Sequence, residues 1–74
     1  EGSMEVLEAG QRVFRFADRH GLNVRDLISR PDFGESVGDM AMMGYEMSMM
    51  TMYWQLAAGL SKDLTEPLKS IVNK

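Results

Sequence analysis

The sequence predicts an all-α fold, a small bundle of three to four helices built around a long methionine-rich one. Three observations predict it. Apolar residues recur at helical spacing along most of the chain. The turn-forming residues gather in one place, "RPDFGESVGD" (30–39). Of the eight methionines, all but Met4 lie between 40 and 52, where Met40-Ala41-Met42-Met43 returns seven residues later as Met47-Ser48-Met49-Met50. With 74 residues and no cysteine, the chain makes one domain at most. Its core is marginal when it stands alone, with no disulfide or thiolate site to staple it.

Glu1-Gly2-Ser3 reads as a cloning remnant before a starting Met4 and is set aside. Residues 4–74 form the domain. A first helix is expected from Met4 or Glu5 to Arg19. Val6, Leu7, Val13, Phe14, Phe16 and Ala17 make its apolar stripe, and Glu5 and Glu8 favour its first turn. Gly21 is expected to end it, where a left-handed residue costs least. Asn23 then suits the N-cap of a short second helix, Val24 to about Ser29, gripped by Leu27 and Ile28. Arg30-Pro31-Asp32 stops that helix, because the residue before a proline is pushed out of the helical region. Residues 4–30 thus form a helical hairpin, followed by a loop in which Asp32, Ser36 or Asp39 is placed to cap what comes next.

The third helix is expected from Ser36 or Gly38 to Leu60. One of its stripes is Met40, Met43, Met47, Met50, Trp54 and Ala57. A neighbouring stripe runs through Met42, Tyr45, Met49, Met52 or Tyr53, Leu56 and Leu60. Only a narrow seam of Gly44, Ser48, Thr51, Gln55 and Ala58 or Gly59 is small or polar. A helix apolar around most of its circumference must be surrounded by other helices. Short helices cover one such stripe but hardly two, so the excess points to self-association or a dedicated partner helix. In the tail, Leu64, Leu68, Ile71 and Val72 form a further apolar set. Pro67 is expected to mark a break or strong bend near 61–66, with Thr65 as cap of a terminal helix.

Charge separates the function classes. Arg12, Arg15, Arg19, Arg25 and Arg30 fall in the first thirty residues and Lys62, Lys69 and Lys74 in the last thirteen, for a net charge of -3. That balance argues against nucleic acid as the main partner. Between 40 and 60 the only charge is Glu46. The polar Ser48, Thr51 and Gln55 and the lack of basic residues at its start favour burial in protein over burial in lipid. Thioether sulfurs bind soft metals such as Cu(I), but here they lie all round a helix with no His or Cys among them. Core filling or an adaptable interface suits them better. Leu and Ile specify a self-contained core more sharply, which favours the interface. His20, beside Asp18, is the chain's only imidazole, and no nucleophile, phosphate loop or carboxylate pair accompanies it. No enzyme activity and no cofactor is implied.

"FADRHGLNVRDLISR" (16–30) resembles a helix-turn-helix, with Ala17, Gly21 and arginines on the second element. On that alternative the chain is a small DNA-binding regulator, dimerised through the Met helix and touching DNA with Arg25 and Arg30. A third option is a docking module or chaperone that holds a partner helix in a methionine groove.

From Ser36 to the end, "PDFGESVGDM" leads into "AMMGYEMSMMTMYWQLAAGLSKDL" and then "LKSIVNK". This order resembles the C-terminal region of type III secretion inner-rod proteins and their needle relatives: a loop, a long helix rich in Met, Leu and Gln, and a terminal amphipathic segment. Leu68-Lys69-Ser70-Ile71-Val72-Asn73 fits the order of that terminal segment. Pro67 and the methionine content depart from the family, and residues 4–30 have no evident counterpart in it. Inner-rod proteins are often longer, which fits a fragment. The resemblance implies a bacterial subunit, cytoplasmic before export and then in the cell envelope, that polymerises by packing its C-terminal helices against copies of itself.

The reading carried forward is a structural, protein–protein interaction protein that acts through helix packing, in its most concrete form a rod- or needle-like subunit of a secretion apparatus. The interface is assigned to Met43, Met47, Met50 and Trp54, with Leu64, Leu68 and Ile71 from the tail. The partner is a second copy or another helix, with nucleic acid and membrane disfavoured.

Overall fold

A computed structural model describes the backbone of residues 2–72 and the side chains of residues 4–60 and Lys62. It is all-helical, with two helices where the sequence suggests three or four: α1, Gly2–Ile28, and α2, Val37–Val72. They fold back on each other as one antiparallel hairpin measuring 59 × 15 × 14 Å. The 36 residues of α2 account for most of that length at about 1.5 Å per residue. The radius of gyration, 17.1 Å, compares with about 11 Å for a compact chain of this size.

The helix end expected at Gly21 is absent, and the two short N-terminal helices are one. Gly21 does not take the left-handed conformation; among the described residues the only glycine with positive φ is Gly34, at 93°. Gly21 instead faces α2, where an added Cβ would lie 3.2 Å from the Met50 sulfur. Its lack of a side chain lets the helices approach, and α1 continues through it at the ordinary cost of a mid-helix glycine. Asn23 accordingly lies inside α1 rather than at a cap. The expected break near 61–66 is also absent, since α2 runs through Pro67. Proline's fixed φ is itself helical, so a helix can pass it, at the cost of one N–H bond and of crowding the carbonyl four residues before.

The connection between the helices lies where the sequence places it. α1 stops before Arg30-Pro31, and residues 29–36 form the connection. Backbone bonds from Phe33 N–H to the Arg30 carbonyl (3.1 Å) and from Glu35 N–H to the Asp32 carbonyl (3.2 Å) build it as successive tight turns. Ser36 is the cap of α2: its Oγ accepts the Asp39 N–H at 3.2 Å.

The helices meet along a seam spaced alternately by four and three residues. On α1 it runs through Val6, Gly10, Val13, Ala17, His20, Val24 and Leu27. On α2 it runs through Asp39, Met43, Glu46, Met50, Tyr53, Ala57 and Leu60. All of these are half-buried or buried, while most of the positions between them are exposed. This is the seven-residue repeat of a coiled-coil pair, and it explains the methionine echo as two consecutive repeats of α2. The seam is thin. Among the described residues only Ala17 and Ala57 are fully buried apolar side chains.

Candidate interaction surface

One polar cluster interrupts the seam. Glu46 is the buried charged residue of the hairpin, 7 % exposed. Its Oε2 accepts from His20 Nδ1 at 2.7 Å and from Asn23 Nδ2 at 3.0 Å. The spacing of α1 makes this possible, because residues 20 and 23 project from one side of the helix, one turn apart. Two tyrosines of α2 enclose the imidazole. Tyr53 stacks on it at 5.7 Å between ring centres, and Tyr45 meets it edge-on at 6.3 Å. Phe16 also stacks on Tyr53, at 5.3 Å, so residues 16 and 20 of α1 both pack on one ring of α2. The His20 and Asn23 hydrogen bonds hold the Glu46 carboxyl below its ordinary range, against the opposing effect of burial. The cluster can hold and orient the two helices. It brings no nucleophile to the pair, and among the described residues no three His, Cys, Asp or Glu side chains gather to hold a metal.

A second polar cluster closes the tip of the hairpin. Asp39 pairs with the Arg30 guanidinium, accepts the Gly34 N–H at 3.2 Å, and donates its own N–H to Ser36. Partial burial would raise the Asp39 pKa. The bonds from Arg30 and Gly34, and the charge of Arg30, outweigh that and hold it low. Arg30 also lies 4.0 Å from Asp32. Of the two arginines considered for DNA, Arg30 is therefore engaged within the loop, while Arg25 is exposed beside Asp26. Residues 16–28 form one continuous helix rather than a helix-turn-helix.

The methionines assigned to an interface divide between two environments. Met43 and Met50 are half-buried in the intramolecular seam, with Met50 against Gly21. Met47 and Trp54, next to the seam, are about half exposed, as are Met40 and Met42. Leu64, Leu68 and Ile71 lie outside the described side chains. Two features escape the sequence reading. His20, a lone imidazole beside Asp18 in the sequence, is in the seam. Phe14, Leu7 and Ile28, assigned there to the core stripe of the N-terminal hairpin, are exposed large apolar residues. The signal for both was the four-three spacing running unbroken through Gly21, which the expected helix end conceals.

Among the described residues, no helix is long and apolar enough to cross a membrane. The chain matches no protein-family model, no curated protein and no solved structure.

Proposed function

We propose that this chain is a structural interaction protein whose helical hairpin is a building block, working by packing against other helices and carrying no chemistry of its own. The observation behind this reading is the imbalance of apolar surface. Among the described residues, fourteen large apolar side chains stand exposed while two alanines make up the fully buried apolar core. Exposed apolar surface in such excess over the buried core marks interaction sites.

The apolar residues are not confined to one flank. Met47 and Trp54 stand on one side of the seam of α2, and Met42, Tyr45, Met52 and Leu56 on the other side and the back. A subunit with apolar surface on more than one side suits assembly beyond a closed pair. The most concrete form of this proposal is the rod- or needle-like subunit of a secretion apparatus that residues 36–74 resemble. The test is solution mass over a range of concentrations, by sedimentation. Mass that grows with concentration is expected; a single chain at every concentration overturns the proposal.

A further inference from the structure

We infer that the face on which Leu7, Phe14 and Ile28 of α1 lie beside Met40, Met47 and Trp54 of α2 is the seat of a second copy of this chain, and that two hairpins pair there into a four-helix bundle. The inference rests on the self-association proposed above and names the surface that carries it. The six residues lie at seven-residue intervals or multiples of them, immediately next to the seam on the same side of both helices. Each is between 42 and 51 % exposed. A two-stranded pair needs only the seam positions to be apolar; a third apolar position per repeat is the pattern of helices that pack in larger bundles.

The surface has the relief that such packing needs. Between the two rows of large side chains lie Gly10, Ala17 and Ala57, and Gly21 stands in the row of α1 where a large side chain is missing. Two shallow apolar depressions follow this line, one bounded by Leu7, Phe14 and Ala57, the other by Gly21, Met50 and Trp54. Ridges and valleys therefore occur on one face, which lets it fit a copy of itself, as an isologous contact requires.

Area leaves room for a partner of this size, and charge favours a second copy as the occupant. The chain exposes 5705 Å², against about 4,600 Å² for a compact chain of its mass. The surplus of about 1,100 Å² covers the about 800 Å² that each partner contributes to a stable pair. Among the described helical residues, the charged ones one turn from this face's side chains are Asp18 and Arg25, one of each sign. A neutral face does not repel its own copy, whereas a dedicated basic or acidic partner would leave a one-sided fringe.

The experiment combines sedimentation with the fluorescence of Trp54, the only tryptophan of the chain. On dilution through the mass transition, Trp54 emission is expected to shift to the red as its face is wetted. Phe14→Glu and Met47→Glu are each expected to weaken pairing by about a hundredfold, as a charge in a hot spot does. Met52→Glu, on the far side of α2, leaves the pair intact. Circular dichroism distinguishes lost pairing from lost helix. If Phe14→Glu or Met47→Glu unfolds, the wild-type emission still decides. Emission unchanged through the mass transition, or a pair that only Met52→Glu dissociates, overturns this face while self-association stands. A wild-type chain that stays single at every concentration overturns both.

Discussion

His20 Nδ1 lies 2.7 Å from Glu46 Oε2 across the seam of the hairpin, between two tyrosine rings. Nδ1 is the donor, so the imidazole carries its proton there whether it is neutral or charged. The carboxylate is thus held by two donors from α1, in a seam otherwise lined mostly by apolar side chains.

That arrangement makes the hairpin sensitive to acid. The folded state holds the Glu46 pKa below its unfolded value, so the unfolded chain binds the proton first. The stability linked to this group is present above the ordinary glutamate range, about pH 4.3. It is lost as pH falls through that range to the lower folded value. Thermal melts of the wild type between pH 7 and 3 should therefore decline more steeply than those of Glu46→Gln. Parallel curves would show that Glu46 is not the group responsible.

Removing both members of the pair should cost less than the two single removals added together. Glu46→Met leaves His20 and Asn23 with unpaired donors in a partly buried seam, and His20→Leu leaves the carboxylate with one partner fewer. In the double variant His20→Leu/Glu46→Met, the seam becomes more uniformly apolar. Its stability should exceed the value expected by adding the two single losses. Additive losses in a double-mutant cycle would mean that the two side chains do not act together.

Gly21 and Gly59 should answer differently to alanine. Nothing lies within 4 Å of a Cβ added at Gly59, while one added at Gly21 meets the Met50 sulfur at 3.2 Å. Gly59→Ala is expected to stabilise by up to about 1 kcal/mol, the helix-propensity gain. Gly21→Ala should gain less, because Met50 has to move, and Gly21→Val should destabilise. Chemical denaturation reads the order. Equal gains at the two sites would show that the close approach at Gly21 is not limiting.

The tip of the hairpin depends on conformation and capping. Gly34 has φ 93°, a region an L side chain enters at a cost of about 1–2 kcal/mol. Ser36 caps α2 through the Asp39 N–H. Gly34→Ala and Ser36→Ala are each expected to lose about 1 kcal/mol in denaturant unfolding. A loss confined to one of them would separate turn conformation from capping as what fixes the connection.

Much of this fold is legible in the sequence, and the misses share one cause. The stop at Arg30-Pro31, the loop and the start of α2 are set by local chemistry that a proline, a glycine and a serine announce. Gly21 and Pro67 announce breaks by the same local rules, and both lie inside helices. At Gly21 the reason is tertiary, since the residue packs against α2, where an added Cβ would lie 3.2 Å from the Met50 sulfur. The buried partner of His20 was illegible because residues 20 and 46 are neighbours only in the hairpin. Met47 and Trp54 were assigned to one face with Met43 and Met50. Single-helix spacing cannot say which edge of a broad apolar stripe a partner within the chain will take.

The seven-residue echo in α2 also bears on how much information fixes the alignment of two helices. Read as a message, Met40 to Met43 and Met47 to Met50 nearly repeat one word, so sliding a helix by one repeat would still set methionine where methionine stood. The word that differs is Glu46. Seven residues to either side stand Asp39, already engaged by Arg30 and Gly34, and Tyr53, which offers His20 a ring in place of a carboxylate. A single buried carboxylate is thus the punctuation that keeps an otherwise repetitive surface from being read out of frame.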